Sequence, residues 1–192
     1  MLWDSLIEIP QGAHVNIYAP SGSGKSSLFQ LLLGSPIAHR GTLSYCGTAL
    51  KDMSIESLSD YRNNDISFVA QDLRLFEELS VLENIAVASA NQKESKSLNL
   101  EKALVDLKLG SKQNIKLSEL SQGEKQRVAI LRALSKEHQC LILDEPFSHL
   151  DDVLTAIAWS MIKDSCVANN RSLILLSLEK EDNHQWTAQW TI

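Results

Sequence analysis

The apolar positions of this chain fall into two rhythms. Short runs that are apolar almost throughout, Val15–Ala19, Ile66–Ala70, Leu141–Leu143 and Leu173–Leu176, read as strands buried on both faces. Between them, apolar residues three and four apart read as helices. Ser27–Leu33 follows the first run and closes at Gly34. Ile55–Arg62 is a short helix. Ser80–Ala86 opens another, with Ser80 as its N-cap and Glu83 three residues on. Leu100–Leu107 stops near Gly110, Ser121–Ser135 carries Val128, Leu131 and Leu134 on one face, and Asp152–Ala168 is the longest helix. Leu6–Ile9 reads as a further strand turned by Pro10-Gln11-Gly12, Gly41–Gly47 as an edge strand with a turn, and Gln185–Ile192 as a last short strand. Asn91–Asn99 is polar and reads as a loop. Strands alternating with helices predict an α/β fold: a mostly parallel sheet with helices on both faces and a small antiparallel β edge. From Leu73 to Lys116 strand signals are few, which predicts a helical insert.

A chain of 192 residues buries one good core, so a single domain spanning 1–192 is expected. The net charge of −6 gives no electrostatic reason for direct nucleic-acid binding. The longest apolar runs are far too short to cross a membrane, and Met1-Leu2-Trp3-Asp4 has no basic stretch leading into an apolar one. Cys46, Cys140 and Cys166 are odd in number and widely spaced, which suits neither a disulfide framework nor a metal site. These features predict a reduced, cytoplasmic protein that reaches a membrane only through a partner.

The chemistry starts at Ala19-Pro20-Ser21-Gly22-Ser23-Gly24-Lys25-Ser26, between the first strand and the first helix. Strand, glycine-rich loop, Lys-Ser and helix form the order of a P-loop. Its glycines let backbone N–H groups turn toward one anion, and the helix N-terminus adds partial positive charge. Lys25 can then reach the β- and γ-phosphates, and the Ser26 hydroxyl can bind Mg²⁺. Ala19 stands where the pattern has its first glycine, which a negative φ would allow. A second motif follows: the strand Leu141–Leu143 delivers Asp144 and Glu145 at its carboxyl end. Asp144 suits a divalent cation, and Glu145 suits a water that must lose a proton.

These motifs, in this order, resemble the nucleotide-binding domains of ABC ATPases over nearly the whole chain. Ala19–Ser26, continued by Ser27, is similar to the Walker A loop, and Gln71 to the Q-loop glutamine. Leu120-Ser121-Gln122-Gly123-Glu124 resembles the family signature, Asp144-Glu145 the Walker B pair and Ser148-His149-Leu150-Asp151 the D-loop. The resemblance implies a P-loop NTPase (ABC ATPase) fold in which a helical signature subdomain, 72–135, is inserted in a core of 1–71 and 136–192. It implies ATP and Mg²⁺ as cofactors, with the metal on Ser26, Gln71 and Asp144, and catalysis by Glu145, Gln71 and Lys25. It further implies a head-to-tail dimer, each ATP lying between one P-loop and the Ser121, Gln122, Gly123 and Glu124 of the other cassette. Ser121 is equally suited to cap a helix with Glu124 completing a capping box, and both roles can hold together. ATP closure and hydrolysis would drive a transporter through integral membrane subunits, docked around Gln71–Glu83 on the cytoplasmic face. The run Leu75–Ile85 is similar to the branch serving lipoprotein release, macrolide export and cell-division complexes. Two alternatives are a degenerate ATP-binding cassette completing a heterodimer, and an ABC ATPase without a transport role. Relatives of that last kind usually carry long coiled-coil inserts or tandem cassettes, neither of which occurs here.

Three departures bear on activity. Gln122 and Glu124 replace the usual Gly and Gln of the signature. Leu178 stands where the family's switch histidine is expected, and leucine cannot hydrogen-bond a phosphate, so slower hydrolysis is expected. His184 is the nearest histidine and reads as an exposed loop residue. The chain also begins too close to the P-loop for the family's adenine-stacking aromatic; Trp3 could replace it but reads better as a core or edge residue.

Overall fold

The pattern of apolar runs becomes, in the computed structural model, β1 (His14–Tyr18), α1 (Lys25–Leu32), β2 (Ser44–Tyr45), β3 (Thr48–Ala49), α2 (Ile55–Asp60) and β4 (Ile66–Val69). There follow α3 (Val81–Ser89), α4 (Leu100–Asp106), α5 (Gln122–Ser135), β5 (Cys140–Asp144), α6 (Asp152–Ala168), β6 (Ser172–Ser177) and β7 (Ala188–Thr191). The described residues are 6–89, 98–182 and 184–192. Trp3 and most of the polar stretch Asn91–Asn99 lie outside them.

The main sheet has the order β4-β5-β6-β1-β7, and every neighbouring pair is parallel. All its strands therefore end at one edge. Tyr18 lies opposite Ser177, and Asp144 opposite Leu176. The loops that follow β1, β5 and β6 thus emerge side by side, where open α/β sheets hold ligands.

Side chains alternate across the strands and fill two cores. On one face Leu141, Leu143, Leu173 and Leu175 pack with Val128 and Leu131 of α5 and Ile162 of α6. On the other, Ile142, Ile174 and Leu176 pack with Val15, Ile17 and the α1 residues Leu28 and Phe29. Helices α3, α4 and α5 join the first core around Leu104, Leu107 and Leu117, all fully buried. Ser80 and Glu83 bond each other's backbone N–H at the start of α3, as their spacing predicts. Asn84, fully buried, accepts from the Phe76 N–H and donates to the carbonyls of Phe76, Leu79 and Ser80, which fixes the loop before that helix.

Three sequence expectations change. Leu6–Ile9 forms no strand, because β6 and β7 already occupy both edges of β1. Leu6 is exposed and Ile9 leans on the core beneath α1. The run Gly41–Gly47 yields one two-residue strand of a hairpin, turned at Cys46 (φ 49°) and Gly47 (φ 81°) and separate from the main sheet. Two consecutive left-handed residues match the right-handed twist of a hairpin. The helix predicted over Ile55–Arg62 is regular to Asp60 and continues as a π-helical turn, Tyr61–Asp65. There the Tyr61 hydroxyl donates to the Leu32 carbonyl, and Arg62 donates to those of Leu33 and Gly34, which close the end of α1.

Candidate nucleotide site

β1 ends at Tyr18, and the Ala19 N–H still donates to the Ser177 carbonyl at 3.1 Å. The loop therefore leaves the sheet level with the end of β6. Ala19 is buried and lies outside the left-handed region, so its methyl causes no backbone strain there. Gly22 (φ 78°) and Gly24 (φ 101°) do take left-handed backbone. Gly24 caps α1 without a side chain, and the first turn holds no acidic residue. The first N–H groups of the helix are thus left for an anion. Pro20, Ser21, Ser26 and Ser27 are exposed around this opening.

Lys25 is buried, and its ammonium donates to the carbonyls of Ala19 (2.6 Å) and Pro20 (3.1 Å). It also lies 3.8 Å from a carboxylate oxygen of Glu145. The Glu145 backbone has φ 48°, a left-handed conformation that costs a non-glycine residue about 1–3 kcal/mol. Its N–H donates to the Leu176 carbonyl at 3.0 Å, and its own carbonyl accepts from Gln126 Nε2 at 3.2 Å.

Asp144 ends β5 and is 3% exposed. Burial, then the charges of Glu145 and Asp72, push its carboxyl up to about 6, while Lys25 pulls the other way. The folded protein thus holds this proton at pH values where the unfolded chain has released it. Stability contributed here falls as pH rises from about 4 to about 6 and stays low above that. We expect Asp144→Asn to raise the stability of the nucleotide-free protein by about 2 kcal/mol at neutral pH, a gain of about 4–8 °C in Tm. Thermal unfolding at pH 4 and at neutral pH checks this, because the advantage should vanish at the lower pH.

Gln71 is exposed just past β4. The turn after it passes through Leu73 (φ 57°) and Arg74 (φ 48°). The Arg132 guanidinium of α5 donates to both their carbonyls, at 2.8 and 2.6 Å, and so clamps that turn. Arg62, Arg74, Arg132 and Lys136, with Phe76 and Val87, line an adjoining cleft of about 540 Å³.

Ser121 caps α5, and Glu124 bonds back to the Ser121 N–H at 2.9 Å, as the sequence pattern anticipates. Lys112 first, then the Ser121 bonds, hold the Glu124 carboxyl down at about 2 against the effect of burial. Gln122 is exposed. A Cβ on Gly123 would come within 2.7 Å of the His149 carbonyl, so the helix touches the turn that follows Glu145. The fold thus brings Lys25, Asp144 and Glu145 together, whereas Ser121–Glu124 abuts the 148–149 turn.

Leu178 directly follows β6 and is half exposed. Its loop is held by Asn16, fully buried on β1, which donates to the Ser177 hydroxyl at 2.8 Å. His184 is not the exposed loop residue that its sequence suggests. Its Nε2 lies 2.6 Å from His14 Nδ1, at the opposite end of β1 from Ala19, and its ring packs against Trp159 and Trp186. Burial, with His14 and Lys163, pushes its pKa down to about 4. It does not stand in for the missing histidine. Gln126, Arg132 and Asn16 are the positions that sequence reasoning missed, because their polar partners are distant in the chain.

A parallel sheet, a glycine-capped helix, a buried lysine and two carboxylates at the end of β5, one strand beyond β6, define a P-loop nucleotide-binding protein. The profile of the ABC transporter family matches residues 3–148, and the chain belongs to that family. It is an ATP-binding, ATP-hydrolysing subunit of a transporter. The lipoprotein-releasing system ATP-binding protein LolD of Buchnera aphidicola subsp. Schizaphis graminum is 38% identical over 174 residues, covering 89% of this chain and 76% of that protein. LolD of Porphyromonas gingivalis is 36% identical over 148 residues, covering 76% and 68%. Among solved structures, the dimeric ATP-binding cassette MJ0796 bound to ADP and Pi aligns with a TM-score of 0.78 at 25% identity, covering 90% of this chain and 78% of that one.

Proposed function

We propose that the loop Ala19–Ser26 and Ser27 hold the phosphates of ATP, and that Glu145 serves the water that cleaves it. The observation that carries this reading is the meeting of Lys25 with Glu145, 3.8 Å apart, beside buried Asp144. Lys25 exchanges its carbonyl partners for the β- and γ-phosphate oxygens, and the free N–H groups of α1 face the same charge. Glu145 orients the attacking water and accepts its proton as the water oxygen bonds to the γ-phosphorus and the bond from that phosphorus to the ADP oxygen breaks. Mg²⁺ would rest on Ser26, Gln71 and Asp144 and would neutralise phosphate charge there. Among the described residues no three His, Cys, Asp or Glu side chains gather as a metal cage, which suits an ion that takes its other ligands from the nucleotide and water.

On this reading Ser121, Gln122, Gly123 and Glu124 complete the ATP site of a second cassette in a head-to-tail dimer, from a helical subdomain spanning 72–135. The N-terminus of α5 brings partial positive charge to this role, and Lys112 pairs with Glu124, the one carboxylate in its first turn, which would otherwise repel the γ-phosphate. No helix among the described residues is long and apolar enough to cross a membrane, and on this reading the cassette acts on integral membrane subunits. The cleft beside Gln71 is where we place them, with the cassette on the cytoplasmic face and lipoprotein release, as in LolD, as the kind of transport. Leu178 favours a second reading, a slow cassette paired with a competent one.

Titration with a fluorescent ATP analogue tests the first step. Lys25→Ala should weaken binding at least about tenfold, since a charge-assisted phosphate contact is lost. Equal affinity in the two proteins would remove the P-loop reading.

A further inference from the structure

We infer that Gln126 is a positioning residue that fixes Glu145 and the 148–149 turn to the signature helix as one piece. The inference rests on the reading of Glu145 as the group that serves the attacking water.

Gln126 lies on α5 one turn beyond Gly123 and is 1% exposed. Its amide is almost fully used. Nε2 donates to the Glu145 carbonyl (3.2 Å) and to Ser148 Oγ (3.3 Å), while Oε1 accepts from the His149 N–H (2.8 Å). One side chain thus grips both ends of the segment Glu145–His149. Gly123 closes the same joint from one turn earlier, where only a hydrogen fits beneath the His149 carbonyl.

The bond to Glu145 matters because of its backbone. A glutamate at φ 48° keeps that conformation only where its surroundings hold it. Leu176 takes its N–H and Gln126 its carbonyl, so the carboxylate is aimed from two sides. Without the Gln126 donor, one of the two restraints is gone. Misplacing a reacting group by about 1 Å can cost on the order of a hundredfold in rate.

The joint also spans two sites. Glu145 stands beside Lys25 in this chain's own ATP site, while Ser121 and Gln122, at the start of the same helix, are exposed toward the ATP of the second cassette. Gln126 therefore makes the catalytic position of one site move with the phosphate cradle of the other.

The test uses Gln126→Met, which keeps length and volume and removes all three polar contacts. Steady-state hydrolysis of γ-labelled ATP over a range of ATP concentrations and thermal unfolding are measured for wild type, Gln126→Met, Glu145→Gln and the double variant. We expect at least about a tenfold loss of kcat in Gln126→Met with KM changed less than about threefold, because only the aim of Glu145 is disturbed. We also expect no further loss when Gln126→Met is added to Glu145→Gln. An unchanged kcat in Gln126→Met overturns the inference. So does a loss that multiplies fully with that of Glu145→Gln and tracks a fall in Tm, since that is general destabilisation. Wild-type turnover in Glu145→Gln alone would instead remove the reading beneath the inference, and the inference with it.

Discussion

Glu145→Gln should stop hydrolysis while leaving ATP bound. The amide has the shape of the carboxylate and keeps the same backbone, but it cannot take a proton from water at neutral pH. General-base assistance of this kind contributes on the order of 10²–10⁴ in rate, so turnover should fall by at least about a hundredfold. The substitution also removes a negative charge beside Asp144 and 3.8 Å from Lys25. ATP affinity should therefore hold or rise, since one repulsion toward the phosphates is gone. If the composite sites form between two copies, the variant should accumulate as a dimer with ATP and Mg²⁺, visible by size-exclusion chromatography, whereas wild type returns to monomer as it hydrolyses. A variant that stays monomeric while binding ATP would point to pairing with a different cassette. A variant that turns over normally would end the base assignment.

Leu178→His should accelerate hydrolysis. Leu178 follows the last residue of β6, and β6 lies next to the strand that carries Asp144 and Glu145. The side chain is 48% exposed, so an imidazole can be placed there without cutting into either core. A preorganised donor aimed at the oxyanion of an acyl-transfer transition state contributes about 10²–10³, and a donor to the γ-phosphate acts on the same electrostatic principle. An increase of at least about tenfold in kcat is the expected result. Phosphate release at saturating ATP measures it directly. No increase would mean that the Asn16–Ser177 anchor holds this loop out of reach of the nucleotide.

The buried strands were legible because parallel strands covered on both faces need unbroken apolar runs, and Leu141–Leu143 and Leu173–Leu176 supply them. The P-loop and Asp144-Glu145 were legible for a similar reason: both are contiguous and both lie at strand ends. Leu6–Ile9 misled because strand formation depends on a free edge, and the sequence did not reveal that β7 would take it. His184 misled because its partner, His14, lies 170 residues away. Gln126 and Arg132 sit within an amphipathic helix and look like ordinary polar positions. Only the folded chain shows that one holds Glu145 and the other holds the turn after Gln71.

The two cores on opposite faces of the sheet also bear on how such a chain can change over generations. The helix behind the phosphate loop draws its support from one face, and the helix behind the signature draws its support from the other. Repacking around Phe29 therefore leaves the footing of Ser121 intact, and repacking around Leu131 leaves that of Lys25 intact. Effects of substitutions in separated clusters add rather than compound. The packing beneath the phosphate loop and the packing beneath the signature can thus drift separately, while the Gln126 joint to Glu145 is where a change on one side reaches the other.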